Sequence, residues 1–108
     1  MSGANNLLEH APLAGFHIAE EIRTAGCAED RARIVLRIPD LVLLQMKGAL
    51  SRACSDTDFA LGEALIDARV AALCAVRTEA GGLPATVAST VYRYQRLARM
   101  LAEVSDDD

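Results

Sequence analysis

Residues 39–54 read PDLVLLQMKGALSRAC, a stretch that is apolar over most of a helical circumference. Pro39 suits the first turn of a helix, where its missing N–H is not needed, and Asp40 complements the positive end of the helix dipole. Gly48 costs helix stability but allows another helix to approach closely. A helix at 40–54 with so little polar surface lies at the centre of a core or between subunits. We therefore predict an all-α fold organised around it.

Two further helices are predicted towards the C-terminus. Residues 55–58, Ser-Asp-Thr-Asp, indicate a turn and an N-cap cluster for a helix over about 58–80, which is apolar on two sides. A glycine pair ends that helix, and Pro84 starts the last one, over about 84–104. The a and d heptad positions of this last helix hold six residues: Val87, Thr90, Tyr94, Leu97, Leu101 and Val104.

The segment before Pro39 contains one clear helix and one ambiguous element. Apolar residues recur at helical spacing over 12–25, and a glycine follows. Residues 31–38, RARIVLRI, alternate as a β-strand does, yet Ile34 and Ile38 also stack as they would on a helix. The sequence leaves a short strand and a helix open here, and predicts only that the element ends before the proline.

Length and composition are those of one helical domain, 1–108, built as a small bundle of about four helices. Hydrophobic residues make up 52% of the chain, which is enough for a core. The net charge is −4, and the aspartates at 106–108 supply three of those charges, so no strongly charged partner is implied. We expect residues 1–11 and 105–108 to be weakly ordered.

Little in the sequence points to catalysis or metal binding. Cys27, Cys54 and Cys74 are odd in number and widely spaced, with no CxxC pair. His17 and Glu21 stand four residues apart, but nothing marks the further ligands that a metal needs. No nucleophile stands beside a base, and no loop matches a phosphate-binding motif. We expect a protein that is not an enzyme and that holds no metal or cofactor.

The sequence also carries a prediction about location. It has no basic N-terminal region followed by an apolar run, as a signal peptide would. No apolar stretch reaches the roughly 18 residues needed to span a bilayer. Together with cysteines that suit a reducing compartment, these features predict a cytoplasmic protein with no membrane partner.

One stretch suggests a DNA-binding function. RIVLRIPD from Arg33, followed by a helix, a polar turn and a second helix, resembles the ribbon-helix-helix DNA-binding family over residues 33–68. In that family a short strand pairs with its copy from a second subunit, and its outward side chains enter the major groove. The resemblance implies a dimeric transcriptional regulator whose DNA contacts are Arg33, Val35 and Arg37.

The hypothesis we favour from the sequence is a non-enzymatic protein–protein interaction module. Two helices that are apolar on most sides, and a third with a heptad seam, need covering surface in so short a chain. We expect a homo-oligomer, in the first place a dimer, or a complex with another helical protein, in the role of adaptor, chaperone or regulatory subunit. The expected contact residues are Leu41, Leu44, Val91 and Leu101.

Overall fold

A computed structural model describes residues 15–75 and 81–104 of the chain. Its regular structure consists of helices: α1 over 15–24, α2 Ala28–Leu36, α3 Asp40–Asp56, α4 Ala60–Cys74 and α5 Ala85–Val104. The predicted all-α class is confirmed, with five helices in the described ranges where about four were expected. None of the helices in these ranges is long and apolar enough to cross a membrane.

The boundaries of two helices follow the prediction closely, and so does the end of a third, whose predicted start at residue 12 lies outside the described residues. The helix expected at 12–25 is α1, and the helices expected at 40–54 and 84–104 are α3 and α5. A proline precedes both α3 and α5, and its fixed backbone angle sets where each helix starts. Residues 1–14 and 105–108, including those expected to be weakly ordered, lie outside the described residues.

The ambiguous element at 31–38 is helical. α2 runs to Leu36, and Arg37 is still in the right-handed region, with φ −96° and ψ −1°. Acidic residues in the first turn complement the helix dipole, and Ala32 and Val35 are buried together on one side of the helix. Pro39 is extended, with φ −64° and ψ 148°, and separates α2 from α3.

The helix predicted over about 58–80 starts within two residues of the prediction, at Ala60, but it ends earlier and is capped differently. The helix, α4, ends at Cys74, because Ala75 is extended with φ −69° and ψ 145°. Residues 76–80 lie outside the described part of the chain. At the other end, the N-cap position belongs to Phe59, which makes no side-chain capping hydrogen bond.

Residues 55–58 end α3 and do not cap α4. Asp58 has a left-handed φ of 55°, a conformation that Asp adopts more readily than most residues. The Phe59 N–H donates to Cys54 O at 2.8 Å, and the Asp58 N–H donates to Ser55 O at 3.1 Å. These two hydrogen bonds form a Schellman motif, which satisfies the carbonyls at the C-terminus of a helix.

α4 lies at the centre of the bundle and packs against α2, α3 and α5, while α5 also packs against α2. The largest fully buried side chains come from the first four helices and the α2–α3 connection: Ile22, Ile38, Leu43, Leu50, Leu65, Ile66, Val35 and Cys54. The fully buried residues of α5 are small, namely Ala98 and Ala102. α5 therefore contacts the core through a narrow strip of small residues. Its larger apolar residues lie at the edge of that contact or are exposed to solvent.

Candidate functional site: the outer face of α5

Large apolar side chains that stay exposed are concentrated on α5. In the described ranges there are seven such residues: Phe16, Leu41, Leu44, Tyr92, Leu97, Met100 and Val104. Four of the seven belong to α5. Single exposed leucines are ordinary on a globular protein, whereas a group of large apolar residues on one element marks an interaction surface.

Three of the four exposed large apolar residues of α5 fall on one stripe with Arg93, and Tyr92 lies beside it. Arg93, Leu97, Met100 and Val104 are spaced by four, three and four residues, which keeps them on one side of a helix that turns by about 100° per residue. We call these four residues the outer stripe. Leu97 is 41% exposed, and Met100 and Val104 are each 55% exposed. Their spacing is that of the a and d positions of a heptad.

Shallow grooves run along the outer stripe. One groove of about 380 Å³ lies between Tyr92, Arg93, Arg96, Leu97 and Met100. A second, of about 230 Å³, lies further round the helix and reaches Arg99 and Glu103. Grooves of this kind receive the side-chain ridges of a neighbouring helix, so this surface suits a helical partner better than a small molecule.

The structure divides the four predicted partner-contact residues into two pairs. Leu41 and Leu44 lie on α3 and are 49% and 47% exposed. Leu101 is half-buried and packs against the core, and Val91 is half-buried in a shallow groove beside Asp40 and Arg69. The first pair is accessible to a partner, whereas Leu101 packs within the chain and Val91 lines a groove at its surface.

Sequence reasoning did not single out Tyr92 or Met100 as contact residues. The predicted heptad runs through Tyr94 and Leu101, which are half-buried, and it shares Leu97 and Val104 with the exposed seam beside it. A signal was present in the sequence. Ala98 and Ala102, small residues four apart, indicate the side on which a helix approaches its core most closely.

The three residues implied as DNA contacts do not share a face. Val35 is fully buried within the chain and exposes no surface to a ligand in this structure. Arg33 donates from Nη2 to Ala102 O at 2.6 Å and from Nη1 to the Asp30 carboxylate at 2.8 Å. Arg37 is exposed and donates to Arg33 O at 3.2 Å. A major-groove ribbon needs an extended segment here, and helical backbone does not present these side chains as a strand would.

Several arginines bind the ends of neighbouring helices. The last carbonyls of a helix have no donor within the helix, and guanidinium groups supply one at three such ends. Arg31 donates to Ile22 O at 3.0 Å and to Ala25 O at 2.8 Å, at the end of α1. Arg69 does the same at the end of α2, and Arg33 at the end of α5. These three arginines therefore hold helices of the bundle together.

The remaining chemistry of the described residues is sparse. Among them, no group of three or more His, Cys, Asp or Glu side chains could hold a metal ion. Burial, with a smaller contribution from the nearby Glu63 carboxylate, raises the pKa of Cys54 to about 11. A thiol with such a pKa stays protonated at neutral pH and is a poor nucleophile.

The chain has no match among known proteins that would suggest a function. No family model, no curated protein and no solved structure matches it. The outer stripe of α5 and the exposed leucines of α3 are therefore the features from which a function can be proposed.

Proposed function

We propose that the chain is a non-enzymatic helical interaction module that acts as a homo-oligomer, in the role of an adaptor, chaperone or regulatory subunit. The observation that supports this most strongly is the outer stripe, where Leu97, Met100 and Val104 are 41 to 55% exposed on one side of one helix. Covering apolar surface of this kind is the main favourable term in protein association.

A second exposed apolar patch, on α3, favours the adaptor role over the roles of chaperone and regulatory subunit. Leu41 and Leu44 are three residues apart in the first turns of α3, and Gly48 follows beyond a kink at Met46 (φ −122°, ψ 23°); all three are exposed. No atom lies within 4 Å of where a Cβ on Gly48 would stand, so the close helix approach expected there is not used within the described chain. We call these residues the α3 patch. Two separate apolar surfaces allow one chain to contact two partners.

The size of these surfaces indicates how tightly they bind. Each has two or three large apolar side chains, which places it with the small interfaces of transient complexes and below the standard size of stable ones. We therefore expect association that is reversible and depends on protein concentration.

Light scattering on the whole chain and two surface variants tests the proposal. Replacing Leu97 and Met100 by Gln is expected to lower the average mass at high concentration, because the outer stripe then prefers water. Ala88→Gln is the matched control: Ala88 is also exposed on α5, and at about 100° per residue it lies roughly half a helical circumference from Leu97. The control should keep the wild-type mass.

Two results would count against the proposal. One is a wild-type mass equal to that of the monomer at every concentration. The other is equal loss of association in the α5 variant and in the Ala88→Gln control, because a surface that binds a partner must be sensitive to where the change is made.

A further inference from the structure

We infer that the outer stripe of α5 binds the same helix of a second copy in antiparallel orientation, held in register by two Arg96–Glu103 ion pairs. The inference rests on the proposed function, because it names the partner of the surface described there. The residues that carry it are the outer stripe and two charged residues beside it, Arg96 and Glu103, which are both exposed.

Heptad positions along the outer stripe define the contacts. With Leu97 and Val104 at a, Arg93 and Met100 occupy d. In an antiparallel pair each a residue faces a d residue of the other helix. Leu97 then meets Met100 of the second copy, and Val104 meets Arg93, whose aliphatic stem can cover an apolar neighbour while its charge stays in water. Two-fold symmetry makes each contact occur twice.

Charge selects this orientation. Arg96 and Glu103 are seven residues apart and both occupy g. In an antiparallel pair the g positions face one another, so Arg96 of each copy lies opposite Glu103 of the other. Within the described residues, neither side chain takes part in an ion pair. Both are therefore available for the second copy.

A parallel pair would lose both advantages. It would place Arg93 beside its own copy at the d position, with like charges together. Arg96 would lie opposite the e position, which is Leu101, and would gain no opposite charge. Like charges brought together at an interface discriminate against that arrangement.

The α3 patch is a poorer partner for the outer stripe. Arg52 is an exposed neighbour of the patch on α3, and the outer stripe itself contains Arg93 and has Arg96 beside it. Like charges on two surfaces repel one another. A contact between two different surfaces would also leave one of each unpaired, and would build open chains instead of a closed dimer.

The half-buried residues of α5 are compatible with the pair. Tyr94 and Leu101 occupy e and pack against the core of their own chain. The g positions therefore lie on the side of the seam that is further from the body of the molecule. Arg96 and Glu103 can meet a second copy there, and the two cores lie along the opposite flank of the helix pair.

Reversal of the two charges tests the inference in the full-length chain. Arg96→Glu alone places two carboxylates together twice in the dimer, and Glu103→Arg alone does the same with two guanidinium groups. We expect each to weaken self-association at least about tenfold in sedimentation velocity, as coupling between close charge pairs permits. The double variant restores the opposite charges and should recover the wild-type dissociation constant within about threefold.

A control and a check on folding make the result specific. Arg99→Glu carries the same change of charge on the same helix, but Arg99 occupies c and faces away from the seam. It should leave the dissociation constant within about threefold of wild type. The far-ultraviolet circular dichroism of all four variants should match that of the wild-type chain, because every replaced side chain is exposed.

The outcomes separate this inference from the function it rests on. If the chain self-associates but Leu44→Gln dissociates it while Arg96→Glu does not, the α5 pair is wrong and the interaction module stands. If single reversals weaken the dimer and the double variant does not restore it, the antiparallel register is wrong. If the wild-type chain is monomeric at every concentration, both proposals are rejected.

Discussion

Arg69 links three helices through one side chain. Its Nη2 donates to Ile38 O at 2.6 Å and to Asp40 Oδ1 at 2.9 Å, and its Nη1 donates to Val35 O at 3.2 Å. The side chain is 13% exposed, whereas that of Asp40 is 64% exposed. The carbonyl bonds are therefore expected to matter more than the ion pair, which solvent screens.

Arg69→Ala is expected to lower the free energy of unfolding by about 2–3 kcal/mol, because it removes the guanidinium donor to Ile38 O and leaves Val35 O with only its weak backbone bond from the Ile38 N–H at 3.3 Å. Urea unfolding followed by circular dichroism measures this change. Arg99→Ala, which removes an exposed arginine from α5, should stay within about 0.5 kcal/mol of wild type. Equal effects of the two substitutions would show that Arg69 does not hold the helix end.

Cys54 makes stability depend on pH in the alkaline range. Burial raises the pKa of its thiol from 9.0 to about 11, so the folded chain holds this proton more tightly than the unfolded chain does. The stability that belongs to the neutral thiol is complete below pH 9 and is lost as the pH rises towards 11. The loss is on the order of 2–3 kcal/mol, from the size of the shift.

The difference in unfolding free energy between wild type and Cys54→Ala isolates this effect from other groups that titrate in the same range. We expect this difference to be constant from pH 7 to 9. Above pH 9 the wild-type chain should lose stability relative to the Cys54→Ala variant. A difference that stays flat up to pH 11 would mean that the thiol ionises as readily in the fold as in the unfolded chain.

At the scale of the element, the end of α3 shows why one part of the fold was predicted wrongly. Aspartate suits an N-cap because its side chain accepts backbone N–H groups, and it also tolerates the left-handed residue that ends a helix. The sequence of residues 55–58 satisfies both patterns. Asp58 takes the second role, and only the path of the chain into α4 distinguishes the two.

Asp58→Gly is expected to stabilise the fold by about 1 kcal/mol, because glycine adopts a φ of 55° without the steric cost that other residues bear. Thermal unfolding measures the gain. Thr57→Gly provides the contrast, since Thr57 has a φ of −106° and its hydroxyl donates to Ala53 O at 2.9 Å. That variant should be less stable, and stabilisation by both would contradict the assignment of the turn.

α2 and α5 show what sequence pattern can and cannot give. Residues 31–38 show both the alternation of a strand and the helical spacing of Ile34 and Ile38. They are helical in the structure because a helix buries Ala32 and Val35 together within the bundle. On α5, two adjacent heptad seams were possible. Which of them is exposed depends on where Ala98 and Ala102 meet the core, and that is a property of packing between helices.

At the scale of the whole molecule, the chain has a net charge of −4, yet the exposed surface of α5 is basic and apolar. Arg93, Arg96 and Arg99 are exposed on α5 close to Leu97 and Met100. The sequence predicted the fold class, and the two leucines that it named on α3 are exposed. The heptad predicted for α5 includes Leu97 and Val104 but not Met100, because choosing between adjacent seams requires knowing which side of the helix the core already covers.

The central claim, that this chain associates with itself through exposed helix surface, is tested most directly by sedimentation equilibrium of the unmodified protein. We predict an apparent mass near 11.5 kDa at low micromolar concentration, rising towards twice that value as the concentration approaches the millimolar range. An apparent mass that remains at 11.5 kDa throughout would contradict the claim.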